Sequence, residues 1–167
     1  MIITAEMLRK AGASPNEVTR LTSLYGERVD VTKAWVLEHA HDGINWEWAA
    51  EHLLPESAWR VYKEAIAPAR RAYDEATESA GRAFDEALAT AWRAFEEANA
   101  SAWSAYEEDK ASARRARRIY DDAMEPARRA YDEATESAGR AYEEAIASAR
   151  HTYDGACALA FARALNA

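Results

Sequence analysis

Apolar and polar positions follow two different rules along this chain. Up to residue 54 the apolar positions come in short helical stretches, each bounded by a cap or a turn residue. Thr4 to Ala11 predicts a first short helix, closed by Gly12. Ser14-Pro15-Asn16-Glu17 is a capping box with proline at the first helical position. The helix it opens carries Val18, Leu21, Leu24 and Tyr25, and Gly26 is its stop. Thr32 caps a third helix with Ala34, Trp35 and Leu37, ending near Asp42-Gly43. Asn45 caps a fourth, Trp46 to Leu54. Trp35, Trp46 and Trp48 give these four helices a small core.

From residue 55 the rule changes. Aromatic residues fall at Tyr62, Tyr73, Phe84, Phe95 and Tyr106, then at Tyr120, Tyr131, Tyr142 and Tyr153, eleven apart within each series. The step from Tyr106 to Tyr120 is 14, three residues longer. Pro126 to Ala141 repeats Pro68 to Ala83 letter for letter, so part of the segment is an internal duplication. Eleven residues over three turns is about 3.67 per turn, a period that favours a right-handed supercoil or nearly straight helices. The sequence therefore predicts an all-α protein. A small helical domain (1–54) precedes one long alanine-rich hendecad-repeat helix (55–167) that forms a coiled coil. Its length, at about 1.5 Å per residue, would be roughly 165 Å. Pro68 and Pro126 share one repeat position and are the places where the helix could kink or fold. A hairpin at Pro126 is the alternative to a continuous helix, with Asp121 to Glu125 as its turn.

The repeat also predicts how this helix associates. Ala76, Ala80 and Ala83, then Ala87, Ala91, Ala94, Ala98 and Ala102, run close to one line. Phe84, Phe95, Tyr106, Tyr131 and Tyr142 flank that line on one side, and small residues flank it on the other. These alanines and aromatics are the expected oligomer seam. Burying one aromatic contributes about 1.5–3 kcal/mol, so the row calls for a partner helix. In a parallel pair an aromatic meets a small flank, and in an antiparallel pair aromatic meets aromatic. Complementarity of size favours a parallel homodimer.

The formal net charge is −8, which speaks against nucleic acid and anionic membranes as partners. Cys157 is the only cysteine, so no disulfide forms within the chain. No apolar run approaches the ~20 residues of a membrane span, and no secretion signal is read at the N-terminus. A cytoplasmic protein is the expectation.

Candidate chemistry is sparse. His39 and His41 stand two apart and point to opposite sides of a helix, so a joint metal site with His52 is not expected. Cys157 has no base at helical spacing, and the repeated carboxylates form a solvated face rather than an acid/base pair. The reading is therefore not an enzyme, with no cofactor and no metal. Trp92 and Trp103 each precede an aromatic by three residues and lie off the alanine line, where exposed tryptophan marks a binding surface. Arg114, Arg115, Arg117 and Arg118 form a basic cluster in the 14-residue step. Arg114, Arg115 and Arg118 join the two tryptophans as candidate partner-binding residues. Balance by Glu107, Glu108 and Asp109 is the plainer reading of that cluster.

Tyr25-Gly26, Val29, Val31-Thr32, Trp46-Glu47-Trp48-Ala49-Ala50 and Leu53-Leu54, followed by repeats such as Pro126-Ala127-Arg128-Arg129-Ala130-Tyr131, resemble a group of phage and prophage proteins. That group joins a tryptophan-containing N-terminal segment to 11-residue repeats of variable number. The resemblance implies a phage setting and no particular activity. This chain has serine or threonine at many places where the repeat proline would stand. Together these readings point to an interaction protein that self-associates and binds a host or phage protein, as a spacer or, by analogy, as an inhibitor of a host defence system. A helix lying on a lipid surface is the alternative, opposed by the alanine face and the negative charge. Nucleic-acid binding through Ser14 to Gly26 is weaker still, because that segment has no basic excess.

Overall fold

The computed structural model describes residues 1–108 and 113–165, and the side chains of all of these except Glu108, Ala113, Arg114 and Ala116. The described residues are all-α in class, with six helices and one two-stranded ribbon. The order is β1 (Ile2–Thr4), α1 (Ala5–Lys10), α2 (Pro15–Tyr25), β2 (Arg28–Asp30), α3 (Lys33–Glu38), α4 (Trp46–Leu53), α5 (Glu56–Glu108) and α6 (Ala113–Ala164).

The four short helices start where their caps place them. The Thr4, Ser14 and Thr32 hydroxyls accept from the backbone N–H groups of Met7, Glu17 and Trp35, and the Asn45 side-chain carbonyl accepts from that of Trp48. Each bond satisfies an N–H that the first helical turn would leave open. Gly26 ends α2 at φ 86°, a conformation that costs other residues more. The third helix is shorter than expected and stops at Glu38, because the chain turns through His39 and Asp42 to Gly43. The ribbon was not anticipated. Its strands pair antiparallel, with Ile3 opposite Val29.

The chain forms two compact units, Met1–Tyr73 with Ala149–Ala167, and Asp74–Ser148. The expected small domain ended at residue 54. The observed first unit adds the start of α5 and the end of α6, because the short helices alone lack enough apolar surface to close a core. Val36, Trp46, Ala50, Tyr62 and Ile66 pack with Cys157, Ala158 and Phe161 in one buried cluster. Trp46 lies against Phe161 at 5.3 Å between ring centroids, and its indole N–H donates to the Ala40 carbonyl at 3.2 Å. A smaller cluster of Ala5, Leu8 and Val18 closes the outer side.

In the second unit α5 and α6 run antiparallel. Phe84 meets Tyr142 at 5.6 Å and Phe95 meets Tyr131 at 5.8 Å, so the partner number falls as the residue number rises. One continuous helix over residues 55–167 is therefore not what the chain forms. Helix α5 ends at Glu108 and α6 begins at Ala113, both within the 14-residue step from Tyr106 to Tyr120, and Pro126 marks no fold because it lies inside α6. Both prolines lie inside helices, Pro68 in α5 and Pro126 in α6. The aromatic-on-aromatic contact expected of an antiparallel pair is realised within the chain, where no second molecule has to be captured. Tilted and edge-on ring pairs add about 0.5–1.5 kcal/mol each beyond area burial.

Gly81 and Gly139 occupy the same repeat position, and a Cβ built on either meets nothing within 4 Å. Glycine inside a helix costs about 0.5–1 kcal/mol relative to alanine. Gly81→Ala and Gly139→Ala are each expected to stabilise the helical pair by about that amount, read as a rise in the urea midpoint at unchanged slope.

Candidate functional site

The contact in the second unit centres on the aromatic line, not the alanine line. Phe84, Phe95, Tyr106 and Tyr131 are partly buried between the helices, with Ala80, Ala91 and Ala98 beside them and Ala102 fully buried. Ala76, Ala83, Ala87 and Ala94 are exposed, and Tyr142 lies at the exposed edge. Alanines of both helices line an open groove of about 880 Å³ on one side of the pair, among them Ala83, Ala87, Ala94, Ala123 and Ala130. The expected seam is thus divided. Its aromatic half pairs within the chain, and part of its alanine half faces outward.

The tryptophans of the second unit stand on a different surface. Trp92 is 50% exposed and Trp103 56% exposed, the most exposed aromatic side chains among the large exposed apolar residues. Neither is loose. Trp92 stacks on Phe95 at 5.8 Å and meets Tyr131 edge-on at 5.9 Å. Trp103 stacks on Tyr106 at 5.3 Å and meets Tyr120 edge-on at 6.4 Å. The Tyr120 hydroxyl donates to the Asn99 side-chain carbonyl at 2.6 Å, which fixes the ring. Glu96, Asn99, Ala100, Trp103 and Tyr120 line a notch of about 560 Å³. Each indole is therefore half exposed in a braced position, the geometry of a contact residue rather than of a frayed surface side chain.

Of the basic cluster, Arg115, Arg117 and Arg118 are described with their side chains. Arg117 pairs with Asp121 at 3.2 Å along its own helix, and Arg115 and Arg118 are exposed. The side chain of Arg114 lies outside the described residues.

In the first unit, sequence reasoning missed two polar clusters. At the end of α3, the Tyr25 hydroxyl donates to Asp42 at 2.7 Å and His39 Nδ1 lies 2.7 Å from the same carboxylate. The Tyr25 hydrogen bond, followed by that of His39, holds the Asp42 carboxyl below its usual range. Burial, then the bond to Asp42, pushes the Tyr25 phenol up to about 12. A raised phenol pKa contributes stability that is complete below pH 10 and lost as the pH climbs through about 12. Alkaline unfolding is expected to track this ionisation, and Tyr25→Phe should remove that part of the pH dependence between 10 and 12 when stability is followed by near-ultraviolet dichroism.

The second cluster joins three helices. Glu47 of α4 accepts from the Tyr153 hydroxyl of α6 at 3.2 Å and pairs with Arg70 of α5. Beside it a polar pocket of about 450 Å³ is lined by residues that include Glu47, Arg150, Asp154 and Cys157. Burial raises the Cys157 thiol above its ordinary pKa, so the sulfur stays protonated, the reverse of what a nucleophile needs. The histidines do not gather around one centre. His41 stacks on His151 at 3.8 Å, and His52 Nδ1 lies 2.9 Å from the Trp48 carbonyl. Among the described residues no group of three metal-ligating side chains converges, and no helix is long and apolar enough to cross a membrane. An apolar cavity of about 80 Å³ between α2, α4 and the ribbon has roughly half the volume that admits benzene in an engineered protein core, and reads as a packing void.

Comparison with known proteins gives no family: the chain matches no family model, no curated protein and no solved structure.

Proposed function

We propose that this is a non-enzymatic interaction protein whose second unit presents a braced tryptophan face to a partner protein. The observation that carries the reading is the pair Trp92 and Trp103, half exposed, eleven residues apart and each stacked on an aromatic of the helix pair. Tryptophan is enriched among the few residues that dominate protein interfaces. A ring already held by its neighbours loses little freedom on binding. The Cys157 thiol, kept protonated by burial, supports a binding role over a chemical one.

In the phage setting that the sequence resemblance implies, the partner is a host or phage protein, and inhibition of a host defence complex is one use of such a face. Self-association belongs to the same proposal. The exposed alanine groove lets backbones approach closely, and both of its lips carry alanines of the 11-residue repeat, so a second copy would meet a similar surface.

The test compares the native chain with the Trp92→Ser/Trp103→Ser double variant as bait in extract of the source cells. A defined protein retained by the native chain and lost with the variant, at unchanged helicity, is the expected result. Identical recoveries from both baits overturn the reading. Mass by light scattering reports self-association separately, and a monomer at all concentrations removes that part.

A further inference from the structure

The first unit holds a third copy of the tryptophan motif, and there the indole is already occupied. Trp59 stands three residues before Tyr62 and stacks on it at 5.3 Å, as Trp92 does on Phe95 and Trp103 on Tyr106. The residue four after Trp59 is Lys63, and its ammonium lies over the Trp59 ring at 5.3 Å from the centroid. The residues four after Trp92 and Trp103 are Glu96 and Glu107. Where the first unit carries a lysine that covers the indole, the second unit carries glutamate at the same position.

We infer that the tryptophan face of the second unit is a docking surface for a basic helical segment of a partner protein, whose arginine or lysine side chains take over Trp92 and Trp103 the place that Lys63 takes over Trp59. The inference rests on the interaction reading above and names the chemistry of the partner. Three observations carry it. A cation binds the open face of an indole through the ring quadrupole, and the chain demonstrates that contact at Trp59. The notch at Trp103 combines two aromatic rings, the Asn99 side chain and one charged group, the Glu96 carboxylate. No ion pair joins Glu96 among the described residues, whereas Glu78, Glu125 and Glu136 are all matched by an arginine four residues on. The arrangement also repeats. Asp85, seven residues before Trp92, stands where Glu96 stands before Trp103, and Tyr131 stands where Tyr120 does. The two tryptophans, eleven residues apart on one helix, are separated by about 16 Å. A helix laid alongside with basic residues eleven apart would reach both. The net charge of −8 favours the encounter.

The experiment uses the full chain and a synthetic alanine-rich helical peptide carrying two arginines eleven residues apart. Its controls replace both arginines, or one of them, by glutamine. The readout is the indole N–H resonances of Trp92 and Trp103. The two-arginine peptide is expected to shift both signals saturably, the one-arginine peptide to bind about tenfold more weakly, and the glutamine peptide not to bind. Glu96→Lys/Glu107→Lys, which builds the Lys63 arrangement into both places, should abolish binding at unchanged helicity. Glu96→Gln should weaken binding about fivefold. Equal binding of the arginine and glutamine peptides overturns the cation chemistry and leaves an apolar interaction face standing. A two-arginine peptide that shifts neither indole, while capture of the cellular partner still depends on the tryptophans, overturns it in the same way. Loss of both results removes the interaction reading itself.

Discussion

Replacing Phe161 by alanine is expected to unfold most of the first unit while leaving the helix pair of residues 74–148 helical. Phe161 is fully buried, lies against Trp46 and belongs to the same buried cluster as Val36, Ala50 and Tyr62. Phenylalanine-to-alanine changes in a core cost about 3–5 kcal/mol, from lost transfer energy and the cavity left behind. A domain has about 5–15 kcal/mol in total, so such a loss consumes a large share. The neighbours cannot refill the space, since Ala158, Ala160, Ala162 and Ala164 are already the smallest side chains available. The signature is loss of near-ultraviolet dichroism and a red shift of Trp46 emission, with most far-ultraviolet signal kept. Removal of residues 149–167 should have the same effect in stronger form, because it also takes Cys157 and Ala158 from the cluster. A first unit that stays folded after that truncation would show that the short helices close a core without α6.

The second large effect is expected at Met124. It is the most completely buried large side chain of the second unit, on a helix whose other described side chains there are at most partly buried. Met124→Lys places an ammonium there, and no buried polar or charged side chain is present among the described residues to receive it. The cost of burying an unpaired charge exceeds several kcal/mol, and the lysine escapes it by parting the helices or by bending its stem outward. Amide exchange over residues 113–131 is expected to rise by orders of magnitude, whereas Met124→Leu, of similar volume, should leave it nearly unchanged. Protection that survives the lysine would mean the ammonium reaches water without separating α5 from α6.

The sequence carried the local structure well, because local structure is set by neighbours along the chain. Thr4, Ser14, Thr32 and Asn45 each cap the helix they were expected to cap. The ribbon escaped notice because three-residue strands leave almost no periodic signal. Long-range pairing was harder to read. Matching large to small residues favours a parallel pair of chains and leaves out what tilted rings gain from each other at Phe84–Tyr142 and Phe95–Tyr131. It also gives too little weight to the 14-residue step, the one departure from the eleven-residue interval and the step within which α5 ends and α6 begins. The part of α6 in the first unit did leave a trace. From Ala156 to Ala162 the acidic and arginine positions of the repeat give way to Cys157, Leu159 and Phe161, a change of composition that marks a second packing partner. Of the candidate site, Trp92 and Trp103 were legible as residues off the alanine line. Their bracing by Tyr120 and Tyr131 was not, because those rings arrive from the returning helix.

That return sets a rule for how the second unit can change length. Phe84 and Phe95 of α5 are each matched to a ring of α6, so eleven residues added to one helix alone would leave a repeat facing no counterpart and slide every later pair out of alignment. Eleven residues added to both helices at mirror positions would preserve every ring contact. Viable relatives and viable designs should therefore differ from this chain in quanta of 22 residues, gained or lost as one opposed pair.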